Sequence, residues 1–225
     1  MIDRTSIHNK MQNHYESVWK GGDAWDFESS SFEQSRYAFL LQRLSDRRYR
    51  CALEIGCGSG CLTRLLAGIA ERVVAVDIAP AAIERARLQT ADARPGQIDL
   101  VVANIMDFDL GVEGNWDLIV LAETIYSLGW LYPLFDVAWL AARLFDATAS
   151  GGRLLLANTY GQKDKDWLMQ RWLIDTYRDL FRNVGYRLEH EETYRADKDS
   201  TEFHVLVSLF TRDSPANDAI KQATP

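Results

Sequence analysis

From about residue 50 onward, apolar residues fall into short β-rich runs alternating with stretches that repeat every three or four positions, the pattern of an α/β sheet. Five strands are predicted: CALEI (51–55), VVAVD (73–77), IDLVVA (98–103), WDLIVLA (116–122) and RLLLAN (153–158). Their interiors are almost wholly apolar, as parallel strands covered on both faces require. Leu62, Leu65, Leu66 and Ile69 repeat at i, i+3, i+4 and i+7, which predicts a helix on the sheet between the first two strands. A further helix is expected from Pro133, with Leu134, Val137, Ala138, Ala141 and Leu144 or Phe145 on its buried side, broken by Ser150-Gly151-Gly152. A longer helix over 164–183 places Leu173, Tyr177, Leu180 and Phe181 on one face and stops before Gly185. Two final strands, 186–194 and 202–210, are expected with a polar link at 195–200.

The first fifty residues read differently. Two helical patterns, Met11/Tyr15/Val18/Trp19 and Tyr37/Leu40/Leu41/Leu44, flank the segment GGDAWDFESSSFE, where Gly, Asp and Ser interrupt aromatics. This predicts a helical cap (1–50) integral to a single domain (51–212), followed by a polar, flexible tail (213–225). A chain of 225 residues is long enough to hold itself together by burial, without disulfides or metals.

Charge narrows the partners. The formal net charge of -7 repels a polyanion over most of the surface, so nucleic acid is not expected as a substrate. Cys51, Cys57 and Cys61 are too close and too few for a disulfide framework, and with no C-x-x-C pair they predict no metal site. The opening MIDRTSIHNK lacks an apolar leader core, and no run is long enough to cross a bilayer. The expectation is a cytoplasmic protein without a membrane partner, either monomer or homodimer.

The candidate chemistry lies in LEIGCGSG (53–60), where Glu54, Gly56, Gly58 and Gly60 form E-x-G-x-G-x-G between a strand and a helix. Glycines there let the backbone wrap closely around a ligand at the carboxyl edge of the sheet. Asp77 ends the second strand 21 residues after Gly56, where a carboxylate accepts bonds from two ribose hydroxyls. A dinucleotide site would want G-x-G-x-x-G, and that register ends on Cys61. The spacing suits S-adenosylmethionine, which has no pyrophosphate. An ordinary glycine turn is the competing reading. Asn104, Ile105 and Glu123 fall just past the third and fourth strands, at the ligand-binding edge. There Asn104 either accepts a bond from an adenine amino group, with Ile105 over the ring, or simply caps a strand end.

Taken in order, residues 53–60, 73–80, 101–107, 116–128 and 150–158 resemble the successive motifs of class I S-adenosylmethionine-dependent methyltransferases. More narrowly, DAWDFESSSFEQSRYAFLLQRL with RYRCALEIGCGSG, and later DLIVLAETIYSLG, is similar to the NodS nodulation N-methyltransferase family. Ala24 stands where that family usually has proline and Ser127 where it has a second tyrosine. The resemblance implies a Rossmann-like, mostly parallel seven-stranded sheet in the order 3-2-1-4-5-7-6, with the seventh strand antiparallel. It implies a cofactor site of Trp25, Arg36, Glu54, Gly56, Cys57, Gly58, Gly60, Asp77, Ile78, Asn104, Ile105 and Glu123. Asn104 takes a place where aspartate is more usual. Arg36 either pairs with the methionine carboxylate or lies on a solvated helix face.

A sulfonium methyl is already activated, so the protein's main task is to align an acceptor behind it. An amine acceptor must arrive unprotonated, and Glu123 or Tyr126 is placed to orient it or relay its proton, although Tyr126 has an alternative role in packing its loop. Trp130, Tyr132, Asn158, Thr159 and Tyr160 are further candidates for the acceptor pocket, while His204 reads as a satisfied strand histidine. The expected activity is methyl transfer to a nitrogen, or oxygen, of a small molecule such as an amino sugar or an amine-bearing natural product. Two rivals stand beside it: a nicotinamide-dependent oxidoreductase and a non-catalytic cofactor-binding domain.

Overall fold

Seven strands form in the computed structural model, which describes residues 4–23, 25–111, 115–161, 170–198 and 201–214. They are β1 (Tyr49–Ile55), β2 (Ala70–Asp77), β3 (Ile98–Val102), β4 (Trp116–Ala122), β5 (Thr148–Tyr160), β6 (Arg187–Lys198) and β7 (Thr201–Thr211). The helices are α1 (Arg4–Lys20), α2 (Ser31–Leu44), α3 (Cys61–Leu66), α4 (Pro80–Gln89), α5 (Ile125–Leu131), α6 (Leu134–Ala147) and α7 (Arg171–Asn183). The strands make one sheet, ordered β3-β2-β1-β4-β5-β7-β6. β7 runs antiparallel to β5 and β6, and the remaining pairs are parallel. The expected strand order and the reversed seventh strand are both present.

The apolar strand interiors divide by parity. Leu53, Ile55, Val74, Val76, Ile119, Leu121, Leu154 and Leu156 pack with residues of α5, α6 and α7 on one face. Ala52, Val73, Leu118, Val120, Leu155 and Ala157 meet Leu40, Leu44, Leu62 and Leu66 of α2 and α3 on the other. Burial on both sides is why alternation is absent from these strands in the sequence.

Several expected boundaries move. α3 stops at Leu66, and Ile69 already pairs with the sheet, its carbonyl accepting the Tyr49 N–H at 2.9 Å. In α6 Leu134 is exposed, because Asp136 takes the inward place of the first turn and pairs there with Arg4; the buried stripe is Val137, Leu140, Ala141 and Leu144. α7 buries Ile174, Tyr177 and Phe181, with Leu173 and Leu180 at its margin; the part of the expected helix at 162–169 lies outside the described residues. The polar link expected at 195–200 is instead strand up to Lys198, which faces Thr201 across the ladder. β6 is an edge strand, largely solvent-facing, so its polar composition hid its conformation. Asp213 and Ser214, expected to fray, are tied down: Asp213 pairs with Arg187 at 3.0 Å and Ser214 accepts from the Ser150 hydroxyl at 2.8 Å. Residues 215–225 lie outside the described part.

α1 and α2 bring the N-terminal residues over the carboxyl edge of the sheet. Tyr15 donates to the Ser127 hydroxyl at 2.7 Å, Gln12 to the Ile78 carbonyl at 3.4 Å, and Glu16 accepts the Ala81 N–H at 2.9 Å. Arg43 of α2 pairs with Glu192 of β6, and Phe32 packs on Phe203 of β7 at 5.2 Å.

Candidate active site

A cavity of about 630 Å³ opens at the carboxyl edge of the sheet, within the range of small-molecule sites. Its floor starts at the turn after β1. Gly56 and Gly58 line it, at φ 76° and 53°. At Gly56 a Cβ would come within 2.4 Å of the Thr124 hydroxyl, so the backbone approaches the β4 loop as only glycine allows. Gly60, also left-handed, serves packing instead: its Cβ would lie 2.9 Å from Ala86 of α4, and the residue does not line the cavity. Nor does Cys57, whose side chain is buried with Ala75 and Ile83. Glu54 projects to the α3 face, where it accepts the Thr63 hydroxyl at 2.6 Å; complete burial pushes its carboxyl up to about 8. Of the expected loop residues, two glycines therefore meet the cavity directly, while Glu54, Cys57 and Gly60 shape the turn from behind.

Asp77 closes β2 and is 9 % exposed. Its Oδ2 accepts the Gly58 N–H at 3.0 Å and its Oδ1 the Ala79 N–H at 2.9 Å. Burial raises its pKa, against the lowering by those backbone donors. Each carboxylate oxygen keeps a further lone pair, and the residue faces the cavity, so it can accept two more hydrogen bonds there. Ile78, Asn104 and Ile105 continue this wall. Asn104 is held by its neighbours: its amide nitrogen donates to the Tyr132 hydroxyl at 2.7 Å and contacts His8 Nδ1 at 2.9 Å, while Oδ1 accepts the Met106 N–H at 3.1 Å. One lone pair of Oδ1 remains for a ligand.

Glu123, just past β4, adopts φ 57°, a left-handed conformation that a non-glycine residue takes at a cost. The strain turns its carboxylate back toward β5, where Oε1 accepts the Thr159 N–H at 3.0 Å and the Thr159 hydroxyl at 2.8 Å. Oε1 also accepts Arg36 Nη1 at 2.9 Å. Arg36 is 4 % exposed, which rules out a solvated helix face. Its Nε has no hydrogen-bond partner, and its guanidinium lies 6.0 Å from the centres of the Phe27 and Phe32 rings. Tyr126 also lines the cavity; burial first, then the Glu123 charge, holds its phenol protonated far above the ordinary range, so it acts as a hydrogen-bond donor.

Trp25 lines the cavity from above, stacked on Phe27 at 5.5 Å and edge-on to Trp19 at 5.3 Å. Among the acceptor-side candidates Trp130 and Thr159 reach the cavity, whereas Tyr132, Asn158 and Tyr160 do not. His204 contacts Glu202 at 2.9 Å and packs edge-on to Tyr160, away from the cavity. Sequence reasoning missed Glu33, Lys198, Thr201 and Phe203, all of which line it. It also missed Ser127 and His14. The α1 stripe was a usable signal for His14, since a helix with an aromatic face beside the motif must cover something, whereas Ser127 was noted only as a departure from the family and the hairpin residues had no signal.

The cavity fits the group its motif implies. One half offers backbone, one carboxylate and apolar walls, and the other a largely buried cluster of two carboxylates, one guanidinium and one ammonium, with Glu33 and Arg36 at its buried centre.

Comparison with known proteins agrees with this geometry. The chain is 43 % identical over 108 residues to nodulation protein S of Bradyrhizobium diazoefficiens, covering 47 % of this chain and 49 % of the relative. It is 32 % identical over 151 residues to nodulation protein S of Rhizobium tropici, covering 67 % and 58 %. The matched stretch thus spans about half the length of these relatives. The crystal structure of N-methyltransferase NodS from Bradyrhizobium japonicum WM9 with S-adenosyl-L-homocysteine superposes with a TM-score of 0.74 at 23 % identity, covering 91 % of this chain and 99 % of that one, a likeness of fold. The profile of the nodulation protein S (NodS) family matches residues 9–136, more than half of the sequence, and the chain belongs to that family.

Proposed function

We propose that this protein is an S-adenosylmethionine-dependent methyltransferase acting on a nitrogen of a small molecule, an amino sugar or another amine-bearing compound. The observation that carries the reading is a cavity shared by Gly56, Gly58 and Asp77 at one end and by Glu123 and Tyr126 at the other. The relative from Bradyrhizobium japonicum was crystallised with the product of that cofactor, which supports the same reading.

In this reading Asp77 holds the ribose hydroxyls, and Ile78 and Ile105 flank the base, with Asn104 Oδ1 accepting from it. Gly56 and Gly58 let the backbone close on the methionine limb, whose carboxylate meets the free Nε of Arg36. Trp25 folds over the bound cofactor. The cofactor supplies a methyl already activated on sulfur. What the chain adds is alignment: Tyr126 donates a hydrogen bond toward the acceptor, and Glu123 fixes Arg36 and the β5 end. The first fifty residues act as a cap that excludes water from this space. Three free thiols suit a reducing, cytoplasmic setting, and among the described residues no helix is long and apolar enough to cross a membrane.

The test is calorimetric. The protein is expected to bind S-adenosylhomocysteine, and Asp77→Ala to weaken that binding on the order of a hundredfold, having removed two charge-assisted bonds. Unchanged affinity sinks the assignment. Titration with NADH under the same conditions separates this reading from a nicotinamide enzyme, which would show the opposite preference.

A further inference from the structure

Helix α6 is apolar on both of its sides. Val137, Leu140, Ala141 and Leu144 face the core, and a helix in the outer layer of a domain ordinarily carries polar residues opposite such a stripe. Here the opposite side reads Phe135, Trp139, Ala142 and Asp146, with Phe135 73 % and Trp139 61 % exposed. Among the described residues nothing buries these two rings. A helix that is apolar all round is one that is covered all round.

The steps between these four positions are four, three and four residues, the spacing of a seam that packs along a second helix. The seam fits its own copy. Turned antiparallel about a twofold axis at the middle of the stretch, it sets Trp139 of one copy on Ala142 of the other, large on small, and exposed Asp146 beside the other copy's first turn. That turn is the electropositive end of the helix, and the Arg4 guanidinium paired there with Asp136 is largely exposed. A parallel pair would instead stack Trp139 on Trp139 and set Asp146 against Asp146. Exposed Leu134 and Trp130 extend the patch toward the end of α5. The four large side chains present on the order of 500 Å² of apolar surface, given about 150–250 Å² for a whole aromatic side chain. A standard interface takes about 800 Å² from each partner, roughly 65 % of it apolar in homodimers, so the patch is of the size a dimer needs. A lipid surface fits less well, because an interfacial helix keeps a basic polar face, whereas α6 ends on Asp146 in a chain of net charge -7.

We infer that the protein is a twofold homodimer whose interface is the antiparallel pairing of α6 with its copy. Trp130 belongs both to this patch and to the cavity wall. Pairing therefore brings the second copy to the rim of the cavity, where it shields Trp130 from water. The inference stands apart from the methyltransferase reading, since it uses only the outward face of the helix.

The test is sedimentation equilibrium on the full chain, which should return twice the mass of one chain at micromolar concentration. Trp139→Glu and Ala142→Glu each place a carboxylate in the seam and should raise the dissociation constant on the order of a hundredfold. Both positions point away from the core, so far-ultraviolet circular dichroism should be unchanged; should one variant lose its fold, the other decides. Asp146→Ala separates the two orientations. In the antiparallel seam it removes an attraction and should weaken the dimer about threefold, most visibly at low salt. A wild-type monomer overturns the inference, including one that floats with lipid vesicles, and so does a dimer that both glutamate variants leave intact. If Asp146→Ala leaves association unchanged or tightens it, the antiparallel seam falls.

Discussion

The two ends of the cavity are built on different principles. At the β1–β3 end, the cavity is lined by main-chain atoms, one carboxylate, one amide and apolar side chains, all supplied by segments within fifty residues of one another: Gly56, Gly58, Asp77, Ile78, Asn104 and Ile105. At the β4–β6 end, the groups are charged side chains from α2, the β4 loop and the hairpin tip: Glu33, Arg36, Glu123 and Lys198. The first end is fixed by backbone conformation and tolerates little change in shape. The second is fixed by mutual neutralisation, so its geometry depends on every member being present. A cofactor site common to many acceptors suits the first kind of construction, and an acceptor site the second, with Arg36 in the proposed reading shared between them.

The sharpest way to break this contrast is to delete the central cation. Arg36→Ala leaves the buried Glu33 and the half-buried Glu123 with no guanidinium between them, and unpaired buried charge typically costs about 3–5 kcal/mol. Urea unfolding should show a loss of that size, and Arg36→Lys should recover only part of it, because an ammonium does not span two carboxylates as the planar fork does. A loss below about 1 kcal/mol would mean the charges at this end are solvated after all.

A second prediction bears on the other end. Glu54 is wholly buried behind the glycine turn, its carboxyl raised to about 8 from an ordinary 4.5. A group whose folded-state pKa is raised contributes stability below its unfolded pKa and loses it as pH climbs through the folded value. Wild-type stability should therefore fall by a few kcal/mol from about pH 5 to about pH 9, since each tenfold change in proton affinity on folding is worth roughly 1.4 kcal/mol. Glu54→Gln should flatten that slope in denaturant titrations at the two pH values. An equal slope in both proteins would show that Glu54 titrates normally and that the turn rests on something else.

The same division explains what was legible in the sequence. Strands buried on both faces announce themselves as apolar runs, so β4 was placed at its observed limits and the sheet order followed from the family resemblance. The glycine turn and Asp77 were legible because their spacing is local. The motif's letters did not reveal which of them face the cavity: Glu54 and Cys57 have the right position but point into packing contacts, with Thr63 for one and with Ala75 and Ile83 for the other, since side-chain direction is set by the turn and not by its consensus. Glu33 stood in the segment that carries the family resemblance but was given no role there, whereas Lys198 and Thr201 were illegible for a different reason. Their importance appears only when an antiparallel hairpin brings β6 and β7 back to the edge where α2 begins, and nothing in ETYRADKDSTEF distinguishes such a tip from a solvated link. Arg36 was named with two alternatives, and burial removes the solvated helix face.

The mildest prediction tests whether the hairpin tip holds the cap closed. Lys198 Nζ donates to the Trp25 carbonyl at 2.8 Å and pairs with Glu33 at 3.7 Å, joining β6 to the aromatic loop before α2. Its side chain is 20 % exposed, so the bond is partly screened, and Lys198→Ala should cost about 1 kcal/mol in urea unfolding. The effect on ligand should be larger in rate than in affinity. With Trp25 released from one of its anchors, S-adenosylhomocysteine should dissociate a few times faster, while its association is nearly unchanged, because loss of a contact made only in the closed form acts on escape. Stopped-flow tryptophan fluorescence reads both rates, since Trp19 and Trp25 line the cavity. If instead association slows and dissociation does not, Lys198 guides entry and does not hold the cap closed.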